Sequence, residues 1–281
     1  MIASVNKTKE ILSKYDLQAK KRFGQNFLID SNIVNKIVST ANIDEGTIVI
    51  EIGPGIGAMT ELLAMKAKKV ICFEIDPDMV NIINNEIITK GTNNVEIHEI
   101  DFLKVDLSDY DLASDRIIVV SNLPYYITTP IIFKLLKEEK VSEIYVMVQD
   151  EVARRLVGLP NTKDYGSLSV MLKYLSIANF EFKVGRNCFL PAPNVDSAIV
   201  SIKRVKNDYK LKNEDKFLKF VQTIFEMRRK TLINNLLKCF TVSRVELEEK
   251  LQSLNIDVNC RAENLELDQI VRIYQILGVD K

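Results

Sequence analysis

The 281-residue chain has no tryptophan, one histidine and four cysteines. Cys72, Cys188, Cys239 and Cys260 stand far apart, with no pair at a metal-ligand or redox-motif spacing, and they read as reduced thiols. The histidine, His98, lies in the strand-like run Asn94-Val95-Glu96-Ile97-His98 and reads as a strand residue rather than a catalytic base. No apolar run approaches the ~18–20 residues that span a bilayer, so no membrane partner is expected. The stretch after Met1 carries no apolar signal region, which argues for a cytoplasmic location. Neither sign of charge is in excess: 38 Lys and Arg balance 38 Asp and Glu, which excludes a bulk polycation.

What is present is local asymmetry of charge. Lys7, Lys9, Lys14, Lys20, Lys21 and Arg22 cluster ahead of the first core element. Lys203, Arg204, Lys206, Lys210, Lys212, Lys216 and Lys219 form a second basic stretch, and Arg228-Arg229-Lys230 a third, while the tail from Thr241 onward is mostly acidic. Any one stretch reads as a solvated face, but three together make a polyanionic partner plausible, with Lys20, Lys21, Arg22, Arg228, Arg229 and Lys230 as docking candidates.

At ~150 residues per domain the length predicts two domains. From residue 47 to about 150, strand-like runs alternate with helical periodicity: Thr47 to Ile52, Lys69 to Glu74, Val95 to Ile100, Arg116 to Ser121 and Glu143 to Val148 as strands, with helices from Thr60 and Pro77 between them. Such alternation predicts an α/β fold, a doubly wound and mostly parallel sheet with helices on both faces. Ser197 to Val205 adds a strand. After residue 206 four helical segments follow, Asp215 to Phe225, Lys230 to Phe240, Ser243 to Leu254 and Leu267 to Leu277. The expected division is therefore 1–206 and 207–281, the second a small all-helical domain.

Glu51-Ile52-Gly53-Pro54-Gly55-Ile56-Gly57 directly follows the first strand of that sheet. Glycines there let the backbone turn sharply and approach a ligand at a helix N-terminus. Glu74 ends the next strand, roughly 20 residues on, where an acid takes ribose hydroxyls. Asp101 follows the third and suits a hydrogen bond from an adenine amino group. The spacing Gly53-x-Gly55-x-x-Ala58 also satisfies a nicotinamide dinucleotide pattern. A dinucleotide would bring a pyrophosphate, and Gly53 to Thr60 holds no basic residue to neutralise it. The balance favours one nucleoside with a zwitterionic amino-acid end.

Ser121-Asn122-Leu123-Pro124-Tyr125-Tyr126 follows the fourth strand. The exocyclic nitrogen of adenine is a poor nucleophile because its lone pair is delocalised into the ring. Hydrogen bonds from that amine to the Asn122 side-chain oxygen and the Leu123 carbonyl would favour a more pyramidal nitrogen. Pro124 constrains its neighbours and helps aim that carbonyl. Tyr125 offers a stacking face worth ~1–3 kcal/mol per base. Orientation then supplies much of the catalysis, and no histidine or metal is required.

These residues resemble the adenine N6-methyltransferases with an Asn-Leu-Pro-Tyr motif and, more narrowly, the small-subunit ribosomal RNA adenine dimethyltransferases, the kasugamycin-sensitivity family. The resemblance covers almost the whole chain. It extends to Lys21-Arg22-Phe23-Gly24-Gln25-Asn26-Phe27-Leu28, to the late segment Phe189-Leu190-Pro191-Ala192-Pro193-Asn194-Val195-Asp196-Ser197-Ala198, and to the stretch from Phe225 to Leu236. It implies a Rossmann-like methyltransferase sheet using S-adenosyl-L-methionine. Asn26, Leu28, Gly53, Gly55, Glu74, Asp101 and Asn122 would contact the cofactor. Asn122, Leu123, Pro124 and Tyr125 would hold the adenine, with Phe189 packing on it opposite Tyr125. It also implies two methyls on each of two adjacent adenines near the end of small-subunit rRNA, transferred on an assembly intermediate by a monomeric enzyme whose helical domain docks RNA. Three alternatives stay open: a macrolide-resistance methyltransferase of large-subunit RNA, an assembly or transcription factor that has lost activity, and a nicotinamide oxidoreductase, which has no role for the segment 122–126.

Overall fold

The computed structural model describes residues 1–20, 24–206 and 208–278. Two compact units divide the chain, Met1–Ala153 with Asn179–Arg204, and Arg154–Ala178 with Val205–Lys281.

The first unit is built on a mixed sheet. In chain order its elements are α1 (Val5–Lys14), β1 (Phe27–Leu28), α2 (Ser31–Thr40), β2 (Ile48–Ile52), α3 (Thr60–Ala64), β3 (Lys69–Glu74), α4 (Pro77–Glu86), β4 (Val95–Glu99), β5 (Ile117–Asn122), α5 (Thr128–Lys137) and β6 (Val141–Gln149). Helices α6 (Asp150–Leu156) and α7 (Ser167–Leu175) follow, then β7 (Ser176–Val184), β8 (Phe189–Leu190) and β9 (Ser197–Arg204). The seven-stranded sheet has the order β4-β3-β2-β5-β6-β9-β7. Strands β2 to β6 are parallel where they pair, and β9 runs antiparallel to β6. All five residues of β2 are buried. Burial on both faces explains a run of β-branched residues in place of alternation. One core gathers Val34 and Ile37 of α2, Leu63 of α3 and Ile82 and Ile83 of α4 with Val49, Val70 and Ile118 of the sheet. Helix α4 starts where Asp76 caps it and Pro77 fills its first turn.

Between β2 and β5 the ladder runs only through Ile48–Ile50 and Ile117–Val119. Beyond it the Ser121 hydroxyl accepts from the Ile52 N–H at 3.3 Å and donates to the Ile52 carbonyl. The strands therefore part at their carboxyl ends, where the strand order reverses, and such points are where open α/β sheets bind ligands.

The second unit holds α7 and the helices α8 (Glu214–Ile224), α9 (Leu232–Cys239), α10 (Arg244–Ser253) and α11 (Leu267–Ile276). It takes in residues 154–178, which the division at 206 had assigned to the N-terminal domain. The reason is aromatic packing: Tyr174 lies 4.7 Å from Phe217 and Tyr165 5.8 Å from Phe225 between ring centres, and the buried Tyr165 hydroxyl donates to the Leu265 carbonyl at 2.7 Å. Helix α9 begins at Leu232, so Arg228, Arg229 and Lys230 occupy the preceding turn and not a helix start. That turn is clasped by the buried Asn235 amide, which accepts from the Met227 N–H (3.1 Å) and donates to the Met227 carbonyl (3.3 Å). Among the described residues no helix is long and apolar enough to cross a membrane, and Cys72, Cys188 and Cys260 are free.

Gly57 is the tightest point of the glycine loop. Its φ is +86°, and a Cβ there would lie 2.4 Å from Ile87 Cδ1. A side chain at this position meets both the left-handed penalty and overpacking. Gly57→Ala is expected to destabilise the first unit by ~2 kcal/mol or more, read as a lowered urea midpoint with an unchanged slope.

Candidate active site

A cavity of about 200 Å³ opens at the carboxyl ends of β2, β3, β4 and β5. One wall is the loop after β2, where Gly53 and Gly55 also have positive φ. Gly55 comes close to the Phe27 ring, which would stand 3.4 Å from a Cβ there, and its N–H donates to Glu74 Oε2 at 3.3 Å. The opposite wall is the segment 122–127 that follows β5, and residues 24–28 close a third side.

Three carboxyl groups line this space, Glu51, Glu74 and Asp101. Among the described residues no lysine, arginine or histidine does. Glu74 is 6% exposed, and its carboxylate accepts from Ile75 N–H (2.8 Å) and Asp76 N–H (2.9 Å) besides Gly55. Burial raises its pKa and these backbone donors oppose the rise. Asp101 accepts from the Leu103 N–H at 3.0 Å, which fixes its side chain at the cavity edge. Glu51 is 1% exposed, accepting from the Thr60 hydroxyl at 2.6 Å with the Cys72 thiol at 3.8 Å. Burial pushes its pKa up to about 8.

Asn122 closes β5, with its Nδ2 toward the Asn26 carbonyl at 3.4 Å. The Leu123 N–H donates to the Met147 carbonyl at 3.2 Å, and the Pro124 carbonyl accepts from Ile127 N–H and the Thr128 hydroxyl, each at 3.2 Å. The segment is thus pinned on both sides of Pro124. The Tyr125 hydroxyl sits 2.7 Å from Ser197 Oγ at the start of β9.

The expected residues Asn26, Leu28, Gly53, Gly55, Glu74, Asp101, Asn122, Leu123, Pro124 and Tyr125 all line this one cavity. Phe189 does not. It is 3% exposed and paired with Leu28 in the small sheet of β1 and β8. Lys20 is engaged elsewhere: its ammonium pairs with the buried Asp76 at 2.7 Å and with Asp78, which argues against the free phosphate contact expected of it. Lys21 and Arg22 lie outside the described residues. Arg228, Arg229 and Lys230 are all exposed, and Arg228 is in addition tied to Glu263 at 2.7 Å and to the Thr162 carbonyl at 3.2 Å.

Two features escaped the sequence reading. Asp76 binds Lys20 and the Gln25 amide (2.7 Å), and so fastens the strap that carries Asn26 to the end of β3. Its only sequence signal was that of a helix cap before proline. Tyr126 lines the cavity mouth and is 58% exposed. It lay within the quoted motif, but a motif does not say which of two adjacent tyrosines turns outward.

A family model described as ribosomal RNA adenine dimethylase matches residues 16–278. The chain belongs to that family. It is 41% identical over 284 residues to the ribosomal RNA small subunit methyltransferase A of Clostridioides difficile, covering 99% of this chain and 97% of the relative. It is 44% identical over 286 residues to the same-named protein of Geobacillus thermodenitrificans, covering 98% and 97%. Among solved structures it is similar to a dimethyladenosine transferase from Plasmodium falciparum, with a TM-score of 0.75 and 27% identity over 89% of this chain and 97% of that one. It is also similar to the 23S rRNA methyltransferase ErmE, with a TM-score of 0.67 and 27% identity over 90% and 100%.

The raised Glu51 pKa has a consequence for stability. Below the ordinary value of 4.5 the group is protonated folded or unfolded and contributes nothing. Between 4.5 and about 8 only the unfolded chain ionises, so unfolding releases a proton and stability falls as pH rises. Glu51→Gln removes this loss while keeping an acceptor for Thr60. Its melting temperature relative to wild type is expected to climb from pH 5 to 8 and level off above, as measured by calorimetry across that range.

Proposed function

We propose that this chain transfers methyl groups from S-adenosyl-L-methionine to the exocyclic amines of two adjacent adenines near the 3' end of small-subunit rRNA, giving N6,N6-dimethyladenosine during subunit biogenesis. The observation that carries this reading is the meeting of the 122–125 segment with an acid-lined cavity in a chain of this family. The small-subunit substrate is favoured over a large-subunit one because the 41% and 44% identical relatives bear small-subunit names, against 27% identity to the 23S enzyme.

The cavity suits that cofactor. A sulfonium and an ammonium are cations, and the lining offers carboxyl groups and no base among the described residues. When bound, S-adenosyl-L-methionine supplies an electrophilic methyl group. Glu74, held rigid by three backbone donors, takes the ribose hydroxyls, and Asp101 takes the adenine amino group. Gly53, Gly55, Asn26 and Leu28 bring backbone and strap against the remainder. Asn122, its Nδ2 turned to Asn26, presents Oδ1 to the target amine together with the Leu123 carbonyl. These two acceptors localise the nitrogen lone pair, and Tyr125 stacks on the base. Holding nucleophile and electrophile in line is the main catalytic contribution. The proton leaves after methyl transfer, when the amine has become far more acidic.

RNA is gripped in the main by residues outside the lining of this cavity. Arg229 and Lys230, exposed in the turn before α9, are the proposed phosphate contacts, with Lys21 and Arg22 retained on sequence grounds. Arg228 serves the turn itself. The enzyme acts as a monomer in the cytoplasm, on an assembly intermediate of the small subunit.

Two substitutions separate the roles. Glu74→Ala is expected to weaken S-adenosyl-L-methionine binding by ~1.5–3 kcal/mol, the worth of hydrogen bonds to a charged acceptor, with little change in binding to undermethylated small subunits. Asn122→Ala is expected to abolish most turnover at saturating substrates with a smaller effect on subunit binding. Calorimetry with the cofactor and methyl incorporation into the subunits check both. Near wild-type turnover in the asparagine variant would place the base site elsewhere.

Replacing Arg229 and Lys230 by alanine is expected to weaken subunit binding and lower its log-log salt slope by roughly 0.7–0.9 per lost phosphate contact. Cofactor affinity stays unchanged. Binding measured across a salt series reads this directly, and equal slopes would leave the two residues without a docking role.

A further inference from the structure

Two residues of the late segment, Asp196 and Ser197, are adjacent in the chain and reach in different directions. The Ser197 side chain is fully buried, its residue opens β9 opposite Gln149 of β6, and its Oγ lies 2.7 Å from the Tyr125 hydroxyl. Asp196 Oδ1 accepts from the Arg186 N–H at 3.0 Å, and Oδ2 pairs with Lys183 at 2.8 Å. Arg186 begins the single 3-10 turn Arg186–Cys188 that leads straight into Phe189. The backbone between the two reaches is itself fixed, because the Asp196 carbonyl accepts from the Asp150 N–H at 3.0 Å where β6 passes into α6.

We propose that Asp196 and Ser197 are a positioning pair for the base site, Ser197 by holding the hydroxyl of its Tyr125 wall and Asp196 by holding the turn that leads into Phe189, which lies outside the cavity lining. The proposal rests on the base-site reading above. Neither residue lines the cavity, and neither touches cofactor or adenine in that reading. Their action runs through the rings. A tyrosine side chain can swing about its first torsion, and an anchor at the hydroxyl, which lies on the ring's own rotation axis, fixes where the ring sits. Anchoring matters here because the target nitrogen must approach the methyl group in line, and a reacting group misplaced by a fraction of an ångström loses much of its rate. The anchor sits on β9, which is held to β6 along seven register pairs from Glu143–Lys203 to Gln149–Ser197, so it inherits the rigidity of the sheet.

The test is a double-mutant cycle on kcat with undermethylated small subunits at saturating S-adenosyl-L-methionine, using wild type, Ser197→Ala, Tyr125→Phe and the double variant. Calorimetry on each gives the cofactor Kd. Ser197→Ala is expected to lower kcat about ten-fold, the scale of a loosened reacting group, with the cofactor Kd unchanged. The double variant is expected to be no slower than Tyr125→Phe alone, because the phenylalanine has already released the anchor. A loss in general stability would not produce that coupling. Ser197→Ala with wild-type kcat would overturn the proposal, and so would a double variant whose losses multiply, since independent sites add in free energy. For the other half, Asp196→Ala is expected to slow transfer and Asp196→Asn, which keeps an acceptor for the Arg186 N–H, to recover most of it. An alanine variant as fast as wild type would overturn the Asp196 role. A wild-type protein that binds no cofactor or makes no dimethyladenosine would count against the base-site reading itself, before any variant is compared.

Discussion

Strands β2 and β5 run together as far as Ile50 and Val119, and past that point the Ser121 hydroxyl stands in for the ladder by bonding both polar groups of Ile52. Backbone groups buried without partners cost about 1–3 kcal/mol each, so the parting of two central strands is tolerable only because this side chain satisfies them. Everything at the site follows from the gap it leaves. The glycine loop departs from β2 on one side and the 122–126 segment from β5 on the other. The two come near each other at the Pro124 ring, which a Cβ on Gly53 would meet at 3.7 Å. A serine one position from the end of β5 thus sets the glycine loop and the 122–126 segment across one crevice from each other.

The electrostatics of that crevice carry the choice of ligand. Glu74 and Asp101 line it beside a Glu51 that burial keeps protonated below about pH 8, and no base stands among the described lining residues, an arrangement that offers a pyrophosphate no counter-charge and suits a sulfonium or an ammonium better. The dinucleotide reading left open by the Gly53-x-Gly55 spacing loses its footing on this point and on family membership. Strength at the rim comes from a different set of charges. Asp76, fully buried, draws in Lys20 and Gln25 and thereby sets the position of the strap that includes Asn26 and Leu28. The lysine that looked like a nucleic-acid contact is held by this aspartate.

Much of this was legible in the chain. The strands at 48–52, 69–74, 95–99 and 117–122 stood within a residue or two of where periodicity put them, because a buried parallel sheet leaves continuous β-branched runs. Glu74 and Asn122 were readable because each ends a strand, and Asp101 because it follows one by two residues, and strand ends converge in this topology. What periodicity could not supply was long-range pairing. Nothing in the sequence of 154–178 says that Tyr165 and Tyr174 pack on Phe225 and Phe217, so the division was drawn without them. The same holds for Arg228, a basic residue whose partner Glu263 is 35 positions away, and for Phe189, whose pairing with Leu28 buries it behind the cavity and not in its lining. Helix α9 starts late because the Asn235 amide clasps the turn before it, a role the residue type alone does not announce.

The central claim is that this cavity methylates adenines of small-subunit rRNA twice at the exocyclic amine. The most direct measurement is mass spectrometry of rRNA nucleosides and fragments after the protein is incubated with S-adenosyl-L-methionine and undermethylated ribosomal subunits of each size. The account predicts N6,N6-dimethyladenosine at two adjacent positions in a single fragment near the 3' end of small-subunit rRNA, with none gained in large-subunit rRNA. Methylation confined to the large subunit, or no methyl transfer by a protein that binds the cofactor, would contradict it.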